Sequence, residues 1–218
     1  MKKVSSIIWL FLGMFVITQC IVPLKDDAVQ DSYTELLNTL PNELINHLPL
    51  KLTDSIVDFR IIFPEGAKMF FGSYVLLEYK LDSTKFFVFE DSLTSVACNI
   101  YNSSDTCLLI INRFGNNSLS PDAKNIKPRS QNCDINKCPV PNFYPIKIHH
   151  YKSIKNEDDI RLSPDYKLYV LDAKPGIYID KKFLSGMNGV PDSWKHGYSK
   201  GVALNKRTYN IMYWLSIW

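Results

Sequence analysis

Gly72-Ser73-Tyr74-Val75-Leu76-Leu77-Glu78-Tyr79-Lys80-Leu81 is the run whose period decides the fold. Tyr74, Leu76, Glu78 and Lys80 fall on one side of an extended chain, and Val75, Leu77, Tyr79 and Leu81 on the other. Before it, Ser55 to Phe63 is rich in β-branched and aromatic residues, and Pro64-Glu65-Gly66 marks a turn between the two runs. After it, Lys85 to Glu90, Ser95 to Tyr101 and Cys107 to Phe114 read as further strands, each bounded by Asp, Ser, Asn or Gly. Strands this close in sequence pair antiparallel, because a parallel crossover needs a dozen or more residues.

Towards the C-terminus, Pro145 to Tyr151 and Tyr166 to Asp172 read as strands, with a charged turn at Lys155 to Asp159 between them. Lys174-Pro175-Gly176 turns the chain towards Ile177 and Ile179, and Thr208 to Trp218 is aromatic and β-like. Towards the N-terminus the period becomes helical. Ser32 with Glu35 forms a capping box for a helix to about Leu40, with Leu36, Leu37 and Leu40 on one face. Pro41 opens a second short helix that Pro49 ends, and His47 within it reads as a surface or packing residue. These readings predict one α+β domain over residues 31–218, short N-terminal helices packed on a mostly antiparallel sheet.

Residues 1–30 carry an address. Lys2 and Lys3 precede an apolar run from Val4 through Ile17, then Thr18, Gln19 and Cys20. Cations ahead of a short apolar run are the secretory pattern. Three outcomes fit: cleavage before Cys20 with lipid on its thiol, an uncleaved anchor continuing to Leu24, or ordinary cleavage to a soluble protein. The first leads, giving a lipoprotein signal peptide over 1–19 and a tether over 20–30. Ile17 and Thr18 resemble the aliphatic and small positions of the lipobox, while Gln19 departs from it. Setting Cys20 aside for lipid leaves Cys98, Cys107, Cys133 and Cys138, enough for two disulfides in an oxidising compartment. Cys98 and Cys107 flank the Asn102-Ser103-Ser104-Asp105 turn as a hairpin pair, and Cys133 with Cys138 would restrain the irregular stretch Asn116 to Asn142. Zinc is disfavoured, because the intervening spacings of eight and four residues are not those of zinc modules. No cofactor is called for.

Charge argues against nucleic acid. The chain carries +3, and without Lys2 and Lys3 the 25 Lys and Arg fall to 23 against 22 Asp and Glu, or +1. The stretch Lys174 to Arg207 is locally basic and reads as a solvated face.

Several segments invite a catalytic reading. Gly197-Tyr198-Ser199-Lys200-Gly201 spells the G-x-S-x-G nucleophile elbow. The elbow needs a strand before it, a helix after it and a later acid and histidine, and no His, Asp or Glu follows Ser199. The wider cluster Trp194, Lys195, His196, Tyr198, Ser199 and Lys200 offers a general base in His196, donors in Tyr198 and Ser199, and anion anchors in the lysines. The plainer reading is a glycine-hinged turn whose aromatics pack on the sheet while its lysines solvate. His149 and His150 are adjacent and point to opposite faces of a strand, so they cannot chelate one metal. Asp158 and Asp159 are likewise neighbours in a charged turn, and nothing in the sequence supports a paired-carboxylate hydrolase there. Trp218 invites comparison with outer-membrane strands, but Ser216 and Asn210 interrupt its row, whereas Tyr209, Ile211, Tyr213, Leu215 and Ile217 form a core face.

Tyr169-Val170-Leu171-Asp172-Ala173-Lys174-Pro175-Gly176, the Trp194 to Gly201 stretch, and Tyr213-Trp214 resemble uncharacterised exported lipoproteins of the Bacteroides type. The resemblance implies an envelope location and brings no activity. The expectation is a non-catalytic envelope module, held to a membrane by lipid on Cys20, that binds a protein or glycan through aromatics such as Tyr144, Tyr178, Trp194 and Trp214. The rival is a small envelope hydrolase with His196 as general base.

Overall fold

The computed structural model describes residues 27–53, 55–63, 73–111, 137–143, 162–184 and 191–218. Cys20, Cys133, Tyr144, the histidine and aspartate pairs at 149–150 and 158–159, and the expected strand at 145–151 lie outside them. Two helices, α1 (Asp27–Thr39) and α2 (Asn42–Ile45), lead into strands β1 (Ile56–Ile62) and β2 (Ser73–Lys80). Helix α3 (Ser83–Val96), β3 (Asn99–Asn102), β4 (Ile110–Ile111), β5 (Val140–Pro141) and β6 (Tyr166–Pro175) follow. Strands β7 (Gly197–Asn205) and β8 (Asn210–Ile217) close the chain. The main sheet has the order β1-β2-β8-β7-β6-β3, and every neighbouring pair is antiparallel. The expected α+β class, helices on a mostly antiparallel sheet, is the fold observed.

The sheet is covered on both faces, so it is the middle layer. One face packs on the helices: Tyr33 and Leu36 of α1, Leu40 just after it, Leu44 of α2 and Phe86 and Leu93 of α3 meet Val75, Leu77, Tyr169, Val202, Ile211, Leu215 and Ile217. The other face carries Leu76, Leu168, Val170, Ala203, Met212 and Trp214 under Leu108, Ile110, Val140 and Phe143. The alternation read in 73–80 is realised, with Val75, Leu77 and Tyr79 towards the helices and Leu76 towards the opposite core. The row Ile211, Leu215 and Ile217 is a core face as expected, and its opposite row is buried too.

Four expectations are corrected. Helix α1 opens at Asp27, so Ser32 and Glu35 lie inside it and residues 27–30 are helical rather than tether. Lys85 to Glu90 is not a strand. Asp82 accepts a hydrogen bond from Lys85 N (2.9 Å) and starts α3, which buries Phe86, Glu90 and Leu93 at helical spacing. The Phe-rich run mimics a buried strand because Phe87 and Val88 are apolar yet face outward, 45% and 67% exposed. Among the described residues, 107–111 form no hairpin with β3: β3 pairs with β6, and β4 makes a two-residue parallel pair with β5. Last, the glycine-hinged turn is a strand, β7, buried along its whole length near the middle of the sheet.

Candidate functional site

Strand β7 carries Tyr198, Ser199 and Lys200 of the sequence-predicted site residues, and its alternation divides them between two cores. Gly197, Ser199 and Gly201 face the side of Trp214 and Trp218; Tyr198 and Lys200 face the helices. A Cβ at Gly201 would lie 2.3 Å from Tyr169 O and 2.4 Å from the Trp214 ring, and one at Gly197 would lie 2.7 Å from Lys174 O and 3.1 Å from the Trp218 ring. The two glycines are therefore seats for two fully buried tryptophans. Between them Ser199 Oγ, fully buried, donates to Pro139 O (2.6 Å) and accepts from Trp214 Nε1 (3.3 Å). A hydroxyl sealed in this way has no path to substrate. The letters of the elbow match, and its strand–turn–helix setting is absent, since the serine sits inside a strand.

On the helix face a polar cluster forms where β6 and β7 pass under α2. A register shift in β6 between Val170 and Asp172 makes this possible. Tyr169 faces the helices opposite Val202; after the shift Asp172 stands opposite Lys200 and Lys174 opposite Tyr198. Without the extra residue Asp172 would point into the tryptophan core. Tyr198 OH donates to Asp172 Oδ2 (2.5 Å), and Lys174 Nζ lies 3.2 Å from the same oxygen. Burial works against ionisation of Asp172, but the hydrogen bonds from Tyr198 and Lys174 outweigh it and hold the carboxyl below its usual range. The Tyr178 ring stands edge-on to Tyr198, centroids 4.5 Å apart.

Lys200 is buried, and its Nζ donates to Glu43 O and to Asn46 Oδ1 (2.9 Å), so the ammonium ties α2 to the sheet. Desolvation lowers its pKa while the Asp172 charge opposes that shift. His47 Nε2 is 2.8 Å from Trp214 O, and Nδ1 is buried without a partner. Burial, with the Lys200 charge adding to it, pushes this imidazole down to about 4, against hydrogen bonding to backbone. At neutral pH it is uncharged and donates from Nε2 to the Trp214 carbonyl. It is a packing residue that fixes α2, one of the roles expected for it.

Trp194, Lys195 and His196 remain at the margin. Trp194 and His196 are half-buried and Lys195 is exposed. Trp194 accepts from Trp218 Nε1 through its carbonyl (2.8 Å), and the two indoles lie 6.1 Å apart. His196 O accepts from Gly176 N (3.0 Å), which brings the end of β6 and the half-exposed Ile177 to the same rim. His196 Nδ1 has no hydrogen-bond partner, so among the described residues no carboxylate orients that nitrogen. Of the aromatics expected to make contacts, Trp214 is fully buried, while Tyr178 and Trp194 are partly exposed.

The cysteine pairs expected from spacing do not form. Cys98 and Cys138 are free thiols, so neither a Cys98–Cys107 hairpin bridge nor a Cys133–Cys138 ring is formed. Sequence spacing favoured those rings because each closes a short loop, but β3 turns away from β4 to pair with β6. No group of three or more His, Cys, Asp or Glu able to hold a metal occurs among the described residues. No helix among them is long and apolar enough to cross a membrane. Comparison with protein families, curated proteins and solved structures finds no match.

Proposed function

We propose that this chain is a non-catalytic binding module of the bacterial cell envelope, held to a membrane by lipid on Cys20 and similar to exported lipoproteins of the Bacteroides type. Its ligand is an envelope protein or glycan. One observation carries the non-catalytic reading: the reactive-type side chains of β7 are all engaged internally. Ser199 serves the tryptophan core, Lys200 serves α2 and Tyr198 serves Asp172. Beside them, the described residues Trp194, Lys195, His196, Ile177 and Tyr178 stay partly open to solvent at the end of the sheet and combine apolar and ring surface with positive charge. Aromatic groups with a polar handle suit contacts to proteins and sugars.

The test places a photo-crosslinking residue at Lys195 or Ile177 in cells, with Val88 on α3 as an exposed control, and screens the purified protein on envelope glycans. The reading expects one partner captured from both rim positions and not from Val88, or a retained glycan lost on Trp194→Ala. Equal capture at all three sites with no glycan retained would refute it. So would hydrolysis of an envelope substrate that His196→Ala abolishes. Lipid labelling of wild type and Cys20→Ser tests the anchor separately.

A further inference from the structure

The two free thiols of the described residues meet at the margin of the sheet. Cys98 lies in the link between α3 and β3, exposed, with its amide N and its Sγ both directed at Val170 O (2.9 and 3.2 Å). Cys138 stands two residues before β5, half-buried, its amide N donating to Tyr101 OH (3.0 Å). The Asn99 amide nitrogen is 3.7 Å from Cys98 Sγ and 3.1 Å from Cys138 Sγ, so one donor spans both sulfurs. Each backbone is held by contacts of its own, to β6 on one side and to β3 on the other, and both sulfurs stay within reach of the same Asn99 amide.

We propose that Cys98 and Cys138 are a disulfide-forming pair, and that their bond fastens the β4–β5 layer to the β3 edge of the main sheet. The oxidant is a disulfide, either a small molecule or a protein. Cys98, the exposed partner, loses its proton; its thiolate attacks one oxidant sulfur and expels the other as a thiolate. The deprotonated Cys138 sulfur then attacks Cys98 Sγ in that mixed disulfide, forms the internal bond and expels the second oxidant thiolate. Two electrons and two protons pass to the oxidant, which leaves as two thiols. Burial, with the Cys98 sulfur adding to it, pushes the Cys138 thiol up to about 11, so closure is slow at neutral pH and quickens as pH rises. None of this rests on the envelope reading.

The bond has a structural consequence. The β4–β5 pair covers Trp214 with Leu108, Ile110, Val140 and Phe143, and it reaches the main sheet through packing and the Ser199 bond to Pro139 O. A covalent tie at Cys138 would hold this cover shut over the tryptophan.

The experiment uses the full chain in detergent, reduced without denaturant, exposed to oxidised glutathione, then alkylated and digested with trypsin and an aspartate-directed protease. Asp105 separates Cys98 from Cys107, and Lys137 separates Cys133 from Cys138, so every linkage is distinguishable. The expected product is a Cys98 peptide joined to a Cys138 peptide, formed faster at higher pH. The oxidised protein should melt on the order of 10 °C above Cys98→Ser and Cys138→Ser, as a closed loop of this length implies. Cys98 joined to any other cysteine overturns the proposal, as does full alkylation of both thiols after exposure to the oxidant. The wild-type peptide map decides this even if a serine variant fails to fold.

Discussion

Replacing Gly201 with alanine adds one methyl group at the tightest point of the sheet. Its Cβ would sit 2.3 Å from Tyr169 O and 2.4 and 2.5 Å from two atoms of the Trp214 ring. The carbonyl belongs to β6, paired with β7 along its length, and the indole is fully buried with Phe143 edge-on at 5.5 Å. Neither can retreat by the ångström that van der Waals contact demands without disturbing a ladder or a core. Overpacking of this kind costs about 1–3 kcal/mol, and the upper end, about 3, fits a clash with backbone. Alanine recovers about 0.5–1 kcal/mol by restricting the unfolded chain, which leaves about 2 kcal/mol of net destabilisation. For a domain of this size that is a fall of about 4–8 °C in Tm. Urea titration of the chain freed of residues 1–20 should show a lower midpoint with the slope unchanged. Trp214→Phe removes part of the obstruction, so the double variant should be less damaged than the two single effects added, by about 1 kcal/mol. A Gly201→Ala protein within about 0.5 kcal/mol of wild type, the range of an ordinary surface change, would show that the glycine is not a seat for the indole. Strict additivity with Trp214→Phe would show the same.

Two further outcomes follow from the same geometry. Ser199→Ala leaves Pro139 O without its donor and Trp214 Nε1 without its acceptor. It should lower stability by about 1–3 kcal/mol in urea melts, and a stability equal to wild type would remove the structural role assigned to the hydroxyl. His47 has a folded pKa near 4 against an ordinary 6.5, so between those values the unfolded chain binds the proton first. Its contribution is complete above pH 6.5, shrinks as pH falls towards 4 and is lost below, a change of up to about 3 kcal/mol. Melts from pH 7 to 4 should show a shallower pH dependence in His47→Gln than in wild type, and identical profiles would contradict a buried neutral imidazole.

The class of fold was legible because β2 and β8 alternate cleanly, with apolar rows at period two. The position of β7 was hidden by its composition. Two glycines, a serine and a lysine imitate a turn, and only the presence of Trp214 and Trp218 on and just beyond the neighbouring strand explains why small residues stand there. Helix α3 was hidden for the opposite reason: Phe86, Phe87, Val88 and Phe89 look like a strand, and the cap at Asp82 together with the burial of Phe86, Glu90 and Leu93 decides otherwise.

The sequence by itself determined that the chain builds a twofold-alternating sheet, that short helices pack on it, and that the glycine-serine motif lacks its catalytic partners. These are local properties, set by side-chain period and by which residue types are present at all. Tertiary structure alone decided which side chains meet. The register shift in β6 brings Asp172 to Tyr198, β7 carries Lys200 under α2, and the pairing of β3 with β6 turns Cys98 towards Cys138 rather than Cys107. Such meetings depend on strand order and on a one-residue slip that moves a side chain from one face to the other. Residues far apart in the chain settle both.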